Sequence, residues 1–88
     1  MPGCNHQVIP LTLYSRPGCH LCDEMKTVIN RVAQSTPLHL EEIDISSRAD
    51  LEERYGLEIP VLFVAGKKAA KYRIEEDELR RLLAGRAG

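Results

Sequence analysis

Residues 11–22 read LTLYSRPGCHLC, and this stretch decides the fold. Leucines alternate with other residues over 11–14 as in a β-strand, and the Pro-Gly pair at 17–18 ends that pattern. Beyond it, apolar side chains recur with helical spacing, at Met25, Val28, Ile29 and Val32. Cys19 and Cys22 are therefore predicted to lie at the start of a helix that directly follows a strand.

The chain as a whole has the size and composition of one small domain. It has 88 residues, of which 43% are hydrophobic, which is enough for a modest core. We expect a flexible lead-in over residues 1–7, a single domain over 8–84 and a short tail over 85–88. Neither an apolar run of the ~20 residues that a membrane span needs nor a signal-peptide pattern is present. We expect a cytoplasmic protein that binds no membrane and remains a monomer.

Charge and cysteine content narrow the class of function. The formal net charge is −1, with acidic and basic residues interleaved, which argues against nucleic acid as a partner. Three cysteines cannot all be paired within one chain, and a closely spaced pair in a reducing compartment indicates redox or metal chemistry. Cys4 is left without an assigned role.

The segments after the first helix, predicted over residues 19–33, alternate between strand and helix patterns. A second strand is predicted over 38–43, where apolar residues share one face. Ser47, with Asp50 three residues on, resembles a capping box that opens a short second helix. Gly56 is expected to end that helix in the left-handed conformation.

The last third of the chain predicts a hairpin and a final helix. An apolar run over 61–64 indicates a buried strand, and a tight turn at 65–66 returns the chain as a polar edge strand over 67–72. The last segment begins with acidic residues at 75–78 and carries arginines toward its end, which complements a helix dipole. The order βαβαββα predicts an α/β fold in which a four-stranded mixed sheet is flanked by three helices.

The paired cysteines are predicted to carry out thiol–disulfide exchange. A thiol with the ordinary pKa of ~8.5 is only ~3% ionised at pH 7, so the attacking thiol needs a lowered pKa. A helix N-terminus supplies ~0.3–1 kcal/mol and at best ~2, whereas a drop of two pKa units needs ~2.7 kcal/mol. Arg16 and the Cys22 thiol are candidates for the remainder, and His20 either adds to it or points to solvent. Cys19, at the open helix end, is expected to attack, and Cys22 to release the product. Leu21 either offers an apolar contact to a partner or covers the helix end.

The Ile59-Pro60 pair directly precedes the buried strand and is the second candidate feature. Proline is tolerated at the start of a strand, so the beginning of β-structure alone would explain it. Together with the upstream cysteine pair, however, it predicts a cis bond that turns the Ile59 backbone toward Cys19. The N–H and C=O groups of Ile59 would then pair with an extended substrate.

Residues 14–22, together with 59–63 and Gly66, resemble the glutaredoxin branch of the thioredoxin superfamily, in particular its small glutaredoxin-like proteins. The resemblance covers nearly the whole chain and implies a thioredoxin-like fold and thiol–disulfide oxidoreductase activity. It also implies a nucleophile, a resolving thiol, a basic residue that helps to hold glutathione and a cis-proline, at Cys19, Cys22, Arg16 and Pro60 respectively.

The resemblance leaves the reductant open between glutathione and thioredoxin reductase. Arg16 favours glutathione. Glutaredoxins usually carry a Gly-Gly pair after the hairpin, where this chain has Ala69-Ala70, and Glu58 replaces the usual threonine two residues before Pro60. The charge of Glu58 is expected to repel the anionic tripeptide. The expected substrates are disulfide-containing proteins or glutathione mixed disulfides, and no tightly bound cofactor is expected.

Two other classes of function compete with this one. Cys4 and His6, together with the thiols and imidazole of residues 19–22, could bind zinc, or the thiols could hold an iron–sulfur cluster. The spacing is not that of a zinc finger, and no metal ligand is assigned. A noncatalytic thioredoxin-like adaptor, binding a partner through the edge strand and Leu21, is the other alternative.

Overall fold

Over residues 8–87, four strands and three α-helices follow one another in the predicted order βαβαββα, which confirms the α/β fold. The computed structural model describes residues 8–87, with side chains over 8–84, so the predicted lead-in over 1–7 lies outside the described residues. The strands are β1 Ile9–Ser15, β2 Leu38–Asp44, β3 Val61–Val64 and β4 Lys67–Lys71. The helices are α1 His20–Ala33, α2 Ala49–Tyr55 and α3 Glu76–Ala87, and a short 3-10 helix, Ile45–Ser47, precedes α2.

The sheet is mixed, with the strand order β2-β1-β3-β4. β1 runs parallel to β2 and antiparallel to β3, which in turn forms the antiparallel hairpin with β4. Ser15 pairs in register with Asp44, and Tyr14 pairs with Val61. The last residues of β1 and β2 and the first residue of β3 therefore lie at the same edge of the sheet, where α1 begins.

A tight turn connects β1 to α1 and places the first cysteine. The Cys19 N–H donates to the Arg16 carbonyl at 3.2 Å, and Gly18 has a φ of +78°. A type II turn requires a positive φ at its third position and favours proline at its second, which Gly18 and Pro17 provide. Cys19 then takes the N-cap position of α1 with extended backbone angles, as the sequence predicts.

The two faces of the sheet bury different kinds of side chain. The face under α1 and α3 is aliphatic, and its fully buried members include Leu13, Met25, Ile29 and Leu79. The face under α2 is a smaller cluster in which the Tyr14 and Tyr55 rings stack with centroids 4.5 Å apart and Phe63 meets Tyr14 edge-on at 5.5 Å. The smaller cluster includes Tyr14 and Val61, which pair next to the end of β1 that leads into the cysteine turn.

The predicted capping box at the start of α2 is wrong. Ser47 lies in the 3-10 helix, and its hydroxyl donates to the Asp44 carbonyl at 2.7 Å. Arg48 occupies the N-cap position of α2 and makes no side-chain cap bond. Asp50 instead accepts from its neighbour Arg48, at 2.9 and 3.2 Å. Because the 3-10 helix takes up Ser47, α2 begins one residue later than predicted, and Arg48 instead of Ser47 stands at its N-cap.

The sequence predicts a left-handed backbone at Gly56 and a tight turn at 65–66, and only the second prediction is right. Gly56 ends α2 with a φ of −55°, so the expected left-handed conformation is wrong, and its N–H continues the helix by donating to the Glu52 carbonyl at 2.8 Å. The hairpin turn is confirmed, with φ values of 51° at Ala65 and 84° at Gly66. Two successive positive φ values are typical of a two-residue hairpin turn, and they favour glycine.

Candidate functional site

Cys19 and Cys22 form a disulfide across the first turn of α1, with their Cα atoms 5.2 Å apart. The Cys22 N–H donates to the Cys19 Sγ at 3.1 Å, so the Cys19 sulfur itself caps the helix. Cys19 is half-buried, whereas Cys22 is only 2% exposed. One sulfur of the pair can therefore meet a substrate at the surface, and the other lies beneath it.

A cavity of about 290 Å³ opens beside the buried cysteine. Its walls come from the turn before α1, the first two turns of α1 and the end of β2. The lining residues are Ser15, Arg16, Pro17, Gly18, Cys22, Asp23, Lys26, Glu42 and Asp44. The buried thiol position thus faces a cavity in which most of the other side chains are charged or polar.

Three polar side chains in this cavity form one network. The hydroxyl of Ser15, which is only 4% exposed, donates to Glu42 Oε2 at 2.7 Å. Lys26 Nζ lies 3.2 Å from the same oxygen and donates to Oε1 at 3.4 Å. Lys26 also lies 3.6 Å from Asp23. The Glu42 carboxylate is therefore held in place from β1 and from α1.

Arg16 also lines this cavity and forms an ion pair with Glu52 of α2. Gly56 allows this approach, because a Cβ there would lie 3.3 Å from Arg16 Nη2 and 3.1 Å from Glu52 Oε1. Both side chains of the pair are about two-fifths exposed, at 39% and 41%. The guanidinium that was predicted to favour the Cys19 thiolate thus carries a carboxylate partner from the same chain.

The two residues between the cysteines lie at the surface of α1. His20 is 87% exposed, with Nε2 3.0 Å from Glu24 Oε2 one turn later. Leu21 is half-buried. Of the two arrangements predicted for His20, the structure shows the one in which the imidazole points to solvent, beside a carboxylate.

The Ile59-Pro60 bond is cis, as predicted. Pro60 is fully buried, and its carbonyl accepts from the Tyr72 N–H at 2.8 Å. Tyr72 has a φ of 72°, and its hydroxyl donates to the Leu57 carbonyl at 3.1 Å. The half-buried Ile59 packs against the aromatic cluster. The cis-proline therefore lies just before β3, at the end of the sheet where β1 leads into the cysteine turn, and is bonded to the residue that follows β4.

Two carboxylates near this edge are held charged by their hydrogen bonds. The Lys68 ammonium donates to Glu58 at 2.7 Å, and this bond lowers the pKa of Glu58 from its ordinary value. The Ser46 hydroxyl and amide donate to Asp44 at 2.6 and 2.9 Å and lower its pKa in the same way. Glu58 thus carries its own counter-charge, which reduces the repulsion of anionic ligands that the sequence predicts.

The described residues contain no group of three or more His, Cys, Asp or Glu side chains that could hold a metal ion. The metal alternative depends on Cys4 and His6, which lie outside the described part of the chain. Over residues 8–87, no helix is long and apolar enough to cross a membrane.

Several residues at the site were not predicted, namely Ser15, Lys26, Glu42 and Glu52. One of them left a signal in the sequence. Leu38 and Leu40 alternate on one face of β2, and Glu42 is the next residue of that series, so a carboxylate stands where the pattern calls for an apolar side chain. Glu52 left no such signal, because its partner Arg16 is 36 residues away along the chain.

Comparison with known proteins agrees with this geometry. Residues 10–84 match a family model described as Glutaredoxin-like domain (DUF836). Over 81 residues the chain is 32% identical to a Dictyostelium discoideum protein named "Glutaredoxin-like protein YDR286C homolog", covering 85% of this chain and 75% of that protein. The chain therefore belongs to the glutaredoxin-like family, within the thioredoxin superfamily.

Solved structures show the same fold. Protein XcR50 from X. campestris superposes with a TM-score of 0.73 at 31% identity, covering 85% of this chain and 96% of that one. Protein Ne2328 from Nitrosomonas europaea gives a TM-score of 0.74 at 29% identity, covering 86% and 92%. A thioredoxin variant from Halobacterium salinarum, at 22% identity, gives a TM-score of 0.66 over 97% of this chain and 80% of that one, and it supports the thioredoxin-like fold alone.

Proposed function

We propose that this protein is a thiol–disulfide oxidoreductase that uses Cys19 and Cys22 as a dithiol pair. The observation that carries the proposal is the unequal exposure of the two sulfurs at one helix start, half-buried Cys19 at the N-cap and buried Cys22 one turn inside. Substrates are disulfide-containing proteins or glutathione mixed disulfides. Membership of the glutaredoxin-like family supports this proposal.

In the first step, the Cys19 thiolate attacks a substrate disulfide. A bond forms between the Cys19 sulfur and one substrate sulfur, and the other leaves as a thiolate. The Cys22 N–H, which points at the Cys19 sulfur at 3.1 Å, would stabilise the thiolate more strongly than a neutral thiol. The helix N-terminus acts in the same direction, and both lower the pKa of the attacking thiol.

In the second step, Cys22 loses its proton and attacks the Cys19 sulfur of the mixed disulfide. The bond between Cys19 and the substrate sulfur breaks, the second substrate thiolate leaves, and the Cys19–Cys22 disulfide forms. Two electrons have then moved from the protein dithiol to the substrate. An external thiol or a reductase must supply two electrons to restore the dithiol.

The identity of the reductant depends on Arg16. By the family resemblance this guanidinium helps to hold glutathione, but here it pairs with Glu52. A glutathione carboxylate would have to displace Glu52 to use Arg16. His20, Leu21 and the backbone of Ile59 are proposed to contact the substrate around the disulfide, and the buried Pro60 is proposed to hold that backbone in position. We expect glutathione to be a usable but poor partner, and thioredoxin reductase is the competing donor.

The experiment is a turnover assay with a protein disulfide, run side by side with glutathione plus its reductase and with thioredoxin reductase. Wild type should turn over with at least one of these donors. Cys19→Ser should lose all activity, because the nucleophile is gone. Cys22→Ser should retain attack on the substrate but accumulate the mixed disulfide, which mass spectrometry detects.

Other outcomes would favour the alternative functions. Absence of a Cys19–Cys22 disulfide across a glutathione redox titration would contradict the dithiol mechanism. Partner binding and cellular function that survive Cys19→Ser would indicate an adaptor. Stoichiometric zinc or iron in protein purified under reducing conditions would indicate a metal centre that includes residues outside the described range.

A further inference from the structure

The loop before the cis-proline presents an apolar side chain to solvent, because Leu57 is 93% exposed. The described residues expose three other large apolar side chains, and one of them, Tyr72, lies at the same place. Tyr72 is 42% exposed, and its hydroxyl donates to the Leu57 carbonyl at 3.1 Å. Leu57, Tyr72 and the half-buried Ile59 of the same loop form what we call the loop patch.

Tyr72 holds this position in an unfavourable backbone conformation. Its φ is 72°, in the left-handed region, where bulky side chains are rare and glycine is favoured. Its N–H donates to the Pro60 carbonyl at 2.8 Å, a bond that glycine would make equally well. The backbone at this position therefore does not call for a tyrosine. Strained residues of this kind cluster at binding sites, and the exposed ring is what tyrosine adds here.

Lys71 places a cation beside that ring. Its Nζ atom lies 5.5 Å from the centroid of the Tyr72 ring. Lys71 pairs in register with Val61, and directly opposed residues of an antiparallel pair share one face of the sheet. Val61 in turn pairs with Tyr14, next to the end of β1. Lys71 and the loop patch therefore lie at the end of the sheet where β1 leads into the cysteine turn.

The charge around the loop patch is positive, although the whole chain has a formal net charge of −1. Residues 57–60 and 67–73 contain one carboxylate, that of Glu58, and four cations. Lys68 already donates to this carboxylate at 2.7 Å. The exposed Lys71 and Arg73 form no ion pair with any residue that the structure describes. A surplus of positive charge therefore remains beside the patch.

We propose that the loop patch and Lys71 bind an acidic segment of a disulfide-containing protein substrate; this inference rests on the proposed dithiol function and names its substrate class. A substrate segment that pairs with the Ile59 backbone continues past the loop patch on one side of the substrate cysteine. There an apolar side chain of the substrate packs against Leu57 and the Tyr72 ring, and a carboxylate meets the Lys71 ammonium. Glutathione has carboxylates but no large apolar side chain, so it cannot fill the patch.

The test measures attack by Cys19 on two synthetic peptides, each with one cysteine joined by a disulfide to thionitrobenzoate. Both contain a phenylalanine, and one carries aspartates where the other carries lysines. When the Cys19 sulfur bonds to the peptide sulfur, the absorbing thionitrobenzoate leaves with the electron pair of the broken disulfide. The parent protein is Cys4→Ser, which lacks the third thiol. Each rate is divided by that of 2-mercaptoethanol with the same peptide, which corrects for the reactivity of the peptide itself.

The acidic peptide should react with the parent at least about tenfold faster than the basic one at low salt, since electrostatic steering changes association rates by ~10–10³-fold. Added salt should reduce this preference, because it screens exposed charges. Lys71→Gln should slow the acidic peptide by about threefold or more. Lys67→Gln is the matched control, because Lys67 lies on the same strand but pairs with Val64, on the opposite face from Val61. It should leave the rate unchanged.

Leu57→Ser should slow the acidic peptide by about three- to tenfold, as expected for the partial burial of a leucine. This variant should no longer distinguish that peptide from one in which alanine replaces the phenylalanine. Tyr72→Gly, which suits the φ of 72°, should fold and slow the reaction similarly. Tyr72→Phe keeps the ring and should stay close to the parent. With a mixed disulfide of glutathione and thionitrobenzoate, Leu57→Ser should match the parent.

Several results would overturn the proposed surface. Equal rates for the acidic and basic peptides would do so, as would equal losses in Lys67→Gln and Lys71→Gln. A loss in Tyr72→Phe as large as that in Tyr72→Gly would assign the effect to the hydroxyl bond with Leu57, against a role of the ring. An equal loss of Leu57→Ser with the glutathione disulfide would mean a general loss of reactivity.

Failure of the dithiol function would give a different result. The parent would then keep the peptide as a mixed disulfide, because Cys22 does not release it, and mass spectrometry would detect that species. The peptide preference belongs to the first attack, by Cys19, and would still decide whether the loop patch binds acidic segments.

Discussion

The two cysteines share one disulfide but have opposite surroundings. On the Cys22 side, a buried sulfur faces a cavity whose wall includes the bonded trio of Ser15, Lys26 and Glu42. On the Cys19 side, the neighbouring His20 is exposed, and Arg16, between the two sides in the cavity wall, is joined to Glu52 in a partly exposed ion pair. The difference shows that only the Cys19 sulfur, on the outer side, is open to the surface, while the Cys22 sulfur, on the inner side, is enclosed.

The largest contrast between the two sides should appear in stability. Met25, one turn after Cys22, is 1% exposed, and Met25→Ala should reduce the free energy of unfolding by about 2–5 kcal/mol through the lost burial and the cavity left behind. His20→Ala should change it by no more than about 0.5 kcal/mol, since the imidazole is 87% exposed. Urea unfolding of the oxidised proteins measures both. Similar losses in the two variants would refute the division into an inner and an outer side.

Removal of the buried Ser15 hydroxyl, on the Cys22 side, should have a smaller effect on the free energy of unfolding. Ser15→Ala removes the donor to Glu42 and should lower the free energy of unfolding by about 1 kcal/mol. Ser46→Ala also removes a hydroxyl that donates to a carboxylate, but at an exposed position, and should change it by only a few tenths of a kcal/mol. Thermal or urea unfolding distinguishes the two. An equal cost in both variants would mean that burial of Ser15 adds nothing.

On the outer side, Glu52→Gln should change recognition more than stability. Exposed ion pairs contribute about 0–1 kcal/mol, so unfolding should be little affected. Arg16 would lose its partner carboxylate and become available to a ligand carboxylate. We expect the rate with a glutathione mixed disulfide to rise a few-fold.

Glu53→Gln, on the exposed surface of the same helix, is the control for the overall charge and should leave that rate unchanged. An increase of equal size in both variants would mean that net charge, not release of Arg16, is responsible. A lower rate in Glu52→Gln would mean that the ion pair positions Arg16 for the reaction.

The smallest expected effect is the dependence of stability on pH that comes from the pKa of Glu58. Lys68 lowers the pKa of Glu58 in the folded protein, so this pair adds stability above the unfolded-state pKa of Glu58 and loses it as the pH falls through the lower folded value. Lys68→Gln should return the pKa of Glu58 toward its ordinary value, which NMR titration of the side-chain carboxyl measures. The pKa of Asp44, which depends mainly on Ser46, should not move in this variant.

Local patterns predicted well wherever the structure depends on near neighbours. The end of β1 needs only the Pro17-Gly18 pair, and the hairpin needs only the tight turn at 65–66, so both were predicted from the sequence. The capping box at Ser47 failed although it is also local, because a 3-10 helix over Ile45–Ser47 shifts the start of α2 by one residue and places Arg48 at the N-cap.

The sequence by itself determined the order of elements and the position of the cysteine pair at a helix start, because hydrophobic periodicity and turn residues act over a few positions. Only the tertiary structure decided which groups surround the pair. Glu42 comes within hydrogen-bond distance of Ser15, 27 residues earlier in the chain, through the parallel pairing of β1 and β2. Glu52 comes to Arg16 through the packing of α2 against the sheet. Sheet register and helix packing set these contacts, since residues so far apart in the chain do not constrain each other until the core forms.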